Sequence, residues 1–396
     1  MTISGTFDPS VQNQKVTYAG GASVSNNLIG NNGQGTSQIT FKGVEDLGGG
    51  LKASFLLEND FNARYDARGN EGTTSAGVNG TNFGTSGGEQ YLALEGGFGK
   101  IQAGAANTPS LTAQASRQPF STKIGSGFNG VLGTGHVRSN NSLVYSTPVF
   151  NGFSAGVAYA FNHNAQQAAT AVQQAAANTG ASTTASTNTE NQSSVMDLGL
   201  NYANGPLAAG VSYWETGAYT GAVAATAVTG VAVPKVQQTN LYASYDLGVA
   251  KLFAGYHTEK QTAYNTLAVT SYAVKSTTGV ITATTAGAVA SGANAKGWNL
   301  GVSVPLNANL SLLANYAKLD DNLAARAATP LDKSIAAVGL RYNLSKNTSL
   351  YARYVEEKND NVAAAIAAGG LLASTATAAN SAAKITTTLV GMQTNF

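Results

Sequence analysis

The stretch "SIAAVGLRYNLSKNTSLYARYVEEKND", residues 334–360, holds two runs of alternating residues about a tight polar turn. In the first run Ala336, Val338, Leu340 and Tyr342 share one face, and Ala337, Gly339, Arg341 and Asn343 share the other. In the second, Leu350, Ala352 and Tyr354 oppose Ser349, Tyr351 and Arg353. A period of two is the signature of a strand. Alternation alone also fits a soluble sandwich, and the second face decides between them. It is small or charged, and a soluble core would not take Arg341 and Arg353. With the pattern turned inside out, the apolar residues meet lipid and the polar ones line water. Closure into a barrel then satisfies every backbone group that lipid cannot.

The same layout recurs along the chain. It is seen in "SQITFKGVEDLGGGLKASFLLENDF", "EQYLALEGGFGKIQAG", "NSLVYSTPVFNGFSAGVAYAF", "SVMDLGLNYANGPLAAGVSYWE", "NLYASYDLGVAKLFAGYHTE" and "GWNLGVSVPLNANLSLLANYAKL". With a first strand over residues 2–8 and a last over 384–396, the count is about sixteen. Short turns alternate with long polar connections, as in a transmembrane antiparallel barrel with short periplasmic turns and long external loops. Sixteen strands leave an aqueous channel, whereas about eight are filled by side chains. Tyr159, Phe161, Tyr202, Tyr213, Tyr245, Tyr256, Tyr316 and Tyr342 fall near strand ends, where amphipathic rings suit the boundary of lipid and headgroup.

Composition agrees with this reading. Only 11% of the 396 residues are charged, 46 are Gly and none is Cys. Mean hydropathy is -0.06, and no run of about 18 apolar residues forms a spanning helix. A net charge of +2 argues against a nucleic-acid partner. The opening "MTISGTFDPS" has neither the basic nor the apolar region of a secretory leader, so export implies a leader already removed. One barrel domain is expected over 1–396, with long external loops at 163–194, 217–236, 261–294 and 359–383.

Several pieces together, "FKGVEDLGGGLKASFLLENDFN", "FGKIQAG", "LRYNLSKNTSLYARYVEEKND" and the terminal Phe396, resemble the general porins of Gram-negative β-proteobacteria, the neisserial and Burkholderia-type family. That resemblance implies a homotrimer in the outer membrane, in contact with its lipid and lipopolysaccharide. It also implies that the third long loop folds into the lumen. Counting hairpins puts this loop at 107–138, with a Gly-rich piece "GSGFNGVLGTG" that lacks the "GK[ST]" ending of a phosphate cradle. In the family, basic wall residues face acidic residues and backbone on the loop. Lys42 stands where arginine is usual, Arg138 keeps a basic residue at a strand entry, and Glu58 matches the family's glutamate. Glu89 and Ala105 stand where arginines are common, so the arginine ladder is thinned.

The expected lumen charges are Lys42, Arg117, Lys123, Arg138, Arg341 and Arg353, opposed by Glu58, Asp60 and Glu89. They point to passive diffusion of small hydrophilic solutes and ions with weak anion preference, since a low-dielectric wall focuses the field across a short constriction. Phe396, by the resemblance, acts as an assembly signal at the periplasmic rim. An enzyme is not expected: the three His, at 136, 163 and 257, lie in unlike contexts and no "GxSxG" surrounds a serine. A surface-exposed adhesin-like or surface-layer β-protein is the alternative reading. No cofactor or metal site is expected beyond calcium held loosely at external loops, because "END" (58–60) and "LDDN" (319–322) lack EF-hand spacing.

Overall fold

The alternating runs pair with their chain neighbours into one closed antiparallel sheet. The computed structural model describes residues 1–18, 21–61, 88–127, 138–139, 141–161, 194–217, 219–223, 228–233, 235–261, 264–265, 289–290, 293–322, 332–359 and 382–396. The sheet has eighteen pieces, and two pairs of pieces run in line, which leaves sixteen strands. They are β1 (Thr2–Phe7 and Pro9–Tyr18), β2 (Ser23–Asn31 and Gln38–Gly48), β3 (Leu51–Asp60), β4 (Gln90–Gly96) and β5 (Gly99–Ala105). Then come helix α1 (Pro109–Ser116), β6 (Ser142–Ser146), β7 (Phe153–Ala160), β8 (Val195–Asn204), β9 (Leu207–Thr216), β10 (Val236–Asp246) and β11 (Lys251–Gln261). The remaining strands are β12 (Ala293–Pro305), β13 (Leu310–Asn322), β14 (Lys333–Asn343), β15 (Thr348–Asn359) and β16 (Ala382–Asn395).

Strand β16 pairs with β15 on one edge and with β1 on the other, in one register from Thr6↔Asn395 to Thr17↔Lys384, with a shift before Tyr18↔Ala382. Among the described residues this barrel sheet has no open edge, which is the condition for crossing lipid with strands. The turn between β2 and β3 needs Gly48, Gly49 and Gly50, all at positive φ (82°, 60° and 83°).

Side-chain exposure follows the alternation read from residues 334–360. Val338, Leu340, Tyr342, Leu350 and Tyr354 point outward and are exposed, whereas Ala337, Tyr351 and Arg353 point inward and are buried. On β16, Val390 and Met392 face out while Leu389 faces in.

One expectation needs correction. The first strand does not end near Asp8 but runs on to Tyr18, and β2 begins at Ser23, far before the first quoted hairpin. The outward side of this added hairpin mixes Val11 and Ile29 with amides such as Asn13 and Asn27, which bond each other at 2.7 Å. The polar contrast that marks a strand is therefore lost there. Loop 217–236 contains a ladder of Tyr219–Val223 with Val228–Val233, and loop 261–294 contains a short pairing of Tyr264–Asn265 with Val289–Ala290. Loops 163–194 and 359–383 lie almost wholly outside the described residues.

Candidate pore constriction

Loop 107–138 enters the barrel through α1. Thr108 caps the helix, accepting the Leu111 N–H at 3.3 Å, and Pro109 takes the first position, where no N–H is needed. Both the N–H and the hydroxyl of Ser110 donate to Oδ1 of Asp197 on β8 at 3.0 Å. Asp197 is fully buried, so its carboxylate is compensated by these donors and by the positive end of the helix.

From there the loop crosses the inner wall strand by strand. Pro109 lies on Gly199 of β8, where a Cβ would come within 2.5 Å of the ring, and Pro119 lies on Gly301 of β12, where it would come within 2.4 Å. Only glycine permits an approach this close. Between these points Arg117 donates from Nη1 to Asn240 Oδ1 at 3.2 Å, and Asn299 donates to the Arg117 carbonyl at 2.7 Å. Burial pushes the Arg117 guanidinium down to about 10, still charged at neutral pH.

Phe120 then enters an apolar cluster with Leu313, Ala317, Ile335, Ala337 and Val355. Beyond it, Asn315 Nδ2 donates to the carbonyls of Gly125 and Ser126 at 3.2 and 3.1 Å. The Arg353 guanidinium stacks 4.7 Å from the Phe120 ring and 5.3 Å from Tyr351. Its Nη1 donates to the carbonyls of Ile124 and Gly33, each at 2.5 Å.

Gly33 belongs to a second intruding segment, Asn32–Ser37, which interrupts β2. Asp8, at the break in β1, accepts the N–H groups of Gln34 and Gly35 at 2.6 Å, and the Tyr351 hydroxyl donates to its other oxygen. Gln34 reaches Gln393 at 2.6 Å. Lys123 donates from Nζ to Thr36, so the loop and the β2 segment meet directly. Burial lowers the Lys123 pKa, while the nearby Asp60 and Asp8 carboxylates oppose that shift.

The facing wall carries the carboxylates. Glu58 accepts from Gln38 Nε2 at 2.7 Å and from the Glu89 N–H at 3.3 Å. Glu89 accepts the Asn107 N–H at 2.8 Å, and Arg138 donates to Asn107 Oδ1 at 2.8 Å. Arg138 also stands 3.9 Å from Asp60. The two ends of the loop are thereby pinned at the mouth of β3 and β4.

Of the nine predicted lumen residues, Glu58, Asp60, Glu89, Lys123 and Arg138 thus converge around one gap. Lys42 is exposed on the inward face of β2, and Arg341 is partly exposed on that of β14. Arg117 (0% exposed) and Arg353 (7%) do not line water: both are buried behind the loop, where they hold backbone carbonyls and amides. The polarity is also the reverse of what the resemblance implies, because residues 107–138 contain no Asp or Glu. The loop supplies cations and the wall supplies carboxylates. Asp8, Tyr351, Asn315, Asn240 and Asp197 escaped the sequence reading. The available signal was an acid or amide at an inward position, as in "VMDLGL".

Among the described residues no group of three or more His, Asp or Glu could hold a metal ion, and Glu58 and Asp60 of "END" face the lumen rather than an external loop.

A family model described as Gram-negative porin matches residues 1–362. The chain belongs to the Gram-negative porin family. This places the porin in the bacterial outer membrane, with its short turns periplasmic. Outer membrane porin protein 32 of Delftia acidovorans is 32% identical over 64% of this chain and 62% of its own length. A porin of Bordetella pertussis is 27% identical over 82% of this chain and 78% of its own. In fold, the porin is similar to the anion-selective porin from Comamonas acidovorans, with a TM-score of 0.65 at 24% identity, covering 100% of this chain and 99% of that one.

Proposed function

We propose that this porin passes small hydrophilic solutes and ions by passive diffusion through a water-filled lumen, with a weak preference for anions. The observation that carries the reading is the composite constriction. Residues 107–127 are fixed along the wall from β8 to β15 and close on β2, which leaves the β2–β5 wall as the side along which solutes pass. There Lys42, Lys123 and Arg138, with Arg341 on β14, outnumber Glu58, Asp60 and Glu89, since Asp8 is compensated by the N–H groups of Gln34 and Gly35 and by the nearby Arg353, and the partial pairing of Arg138 with Asp60 leaves a small positive excess. The fold shared with a porin named anion-selective supports the sign.

The reading is non-enzymatic. His257, the base that a hydrolase would need, is 1% exposed, with its Nδ1 2.8 Å from Asn240 Oδ1 behind the loop. We further infer a homotrimer bathed in outer-membrane lipid and lipopolysaccharide, requiring no cofactor. Reversal potentials in planar bilayers under a KCl gradient test the selectivity: a modest shift toward the chloride potential is expected, and clear cation selectivity overturns it.

A further inference from the structure

The open side of the lumen is not uniformly polar. On the periplasmic side of Glu58, the inward row across β2, β3 and β4 reads Lys42, Leu56, Tyr91, and the next row reads Val44, Ser54, Ala93. Val44 shares the inward face of β2 with Lys42 and is 60% exposed, and Leu56 and Tyr91 are partly exposed beside it. Tyr91 packs in turn against Val144 of β6. A strip of carbon therefore crosses a wall that otherwise meets water with polar groups.

The borders of the strip are charged. Lys42 is exposed at one end and makes no ion pair among the described residues. The carboxylate diagonal to it, Glu58, has both oxygens engaged, one by Gln38 and one by the Glu89 N–H. At the other end Lys100 of β5 donates from Nζ to the Tyr91 hydroxyl at 3.2 Å and lies 4.7 Å from the centre of its ring, which steadies that ring. In the row nearest the periplasm Asp46, Lys52, Glu95 and Lys100 alternate in sign, so the cation left to a solute is Lys42. Two strand spacings, about 10 Å, separate Lys42 from Tyr91 across Leu56.

We propose that this strip is a transient binding site for monocarboxylates that carry an apolar body, with the carboxylate on Lys42 and the body on Val44, Leu56 and Tyr91. It rests on the reading of the chain as a weakly anion-preferring pore, whose solute class it names. A ring or short alkyl chain laid on the strip takes its own carbon and that of the wall out of water together. A compact anion such as acetate gains only the charge attraction, which is small at an exposed lysine. The strip is open to the lumen along its length, so binding stays weak, and weak binding lets a solute leave again and complete its passage.

The test is a saturation-transfer NMR titration of the full chain, folded in detergent, with benzoate as the probe. Acetate keeps the charge without the ring, and benzamide keeps the ring without the charge. Wild type is compared with V44S/L56S and with K42Q, each shown to be folded by heat-modifiable gel mobility. Wild type is expected to bind benzoate about tenfold more tightly than acetate, and the serine pair to lose about that factor for benzoate alone. K42Q is expected to bind benzoate about threefold more weakly with benzamide unchanged. Equal binding of benzoate and acetate by wild type overturns the proposal, as does undiminished benzoate binding by the serine pair or by K42Q. Bilayer conductance is read separately. A chain that binds benzoate through Lys42 yet forms no channel discards the pore reading alone, and a conducting chain that binds benzoate no better than acetate discards the solute class alone.

Discussion

Arg353 on β15 donates to the carbonyl of Ile124, in a loop that leaves the wall more than two hundred residues earlier. The same nitrogen holds Gly33, so one guanidinium clamps two intruding segments together. Arg353→Met removes both bonds and leaves one buried and one part-buried carbonyl without this donor, at a cost of about 1–3 kcal/mol for the buried one. The expected outcome is a folded barrel whose single-channel current is noisier and shows frequent sublevels. Arg353→Lys is expected to behave nearly as badly, because an ammonium has no planar surface to stack on Phe120 and Tyr351.

The far end of the loop depends on Asp197. Asp197→Ala deprives Ser110 of both its bonds and the helix of its buried counter-charge. Limited proteolysis of the folded variant should cleave within 107–127 at rates well above wild type, while cleavage at the strand turns stays unchanged.

Filling the glycine contacts should push the loop toward the open side. At Gly301 a Cβ already comes within 2.4 Å of Pro119. Gly301→Val therefore displaces the loop into the lumen, and both conductance and the uptake rate of small sugars in liposome swelling should fall. A conductance equal to wild type would mean that the loop does not set the limiting section.

The selectivity rests on few charges, so single changes should register. Lys123→Glu is expected to turn weak anion preference into cation preference, and the shift should shrink at 1 M salt, where screening acts within about 3 Å. The pH dependence has a definite sign. Burial lowers the Lys123 pKa below its ordinary 10.5. The loop therefore loses its positive charge as pH rises from neutrality, earlier than a solvated lysine would, and anion preference should weaken over the alkaline range. Reversal potentials taken between pH 7 and pH 10 check this.

At the seam, the Phe396 N–H donates to the Gly5 carbonyl at 3.0 Å, and the Gly5 N–H returns a bond to the Phe396 carbonyl at 2.9 Å. Gly5 leaves room for the ring, since a Cβ there would approach Phe396 Cζ to 2.5 Å. Deleting Phe396 should lower the yield of assembled, heat-modifiable protein while leaving the conductance of what assembles close to wild type.

Much of this architecture is legible in residue order alone. The outward stripe of β14 and β15 is set by local alternation, and so is the seam, because Thr388, Val390, Met392 and Phe396 fall in one phase. The inward face was harder to read. Arg117 and Arg353 look like pore-lining charges until the loop is laid against the wall, which buries both, and nothing local to residues 334–360 says that Ile335 and Val355 are covered by Phe120 from a segment far away in sequence. The helix over Pro109–Ser116 has a Thr-Pro start visible in the sequence, but eight residues are too few for a helical period to stand out.

The packing of Phe120 against Leu313, Ile335 and Val355 gives this membrane protein a patch of ordinary water-soluble-type core inside its own channel. Tolerance to substitution should therefore divide by angle around the barrel. Outward positions such as Leu340 should accept almost any apolar residue, because liquid lipid has no fixed shape to match. Ile335 and Val355 should obey close-packing rules, rejecting changes in volume as well as polarity. A saturation scan of β14 would then alternate, residue by residue, between a permissive solvent and a strict one.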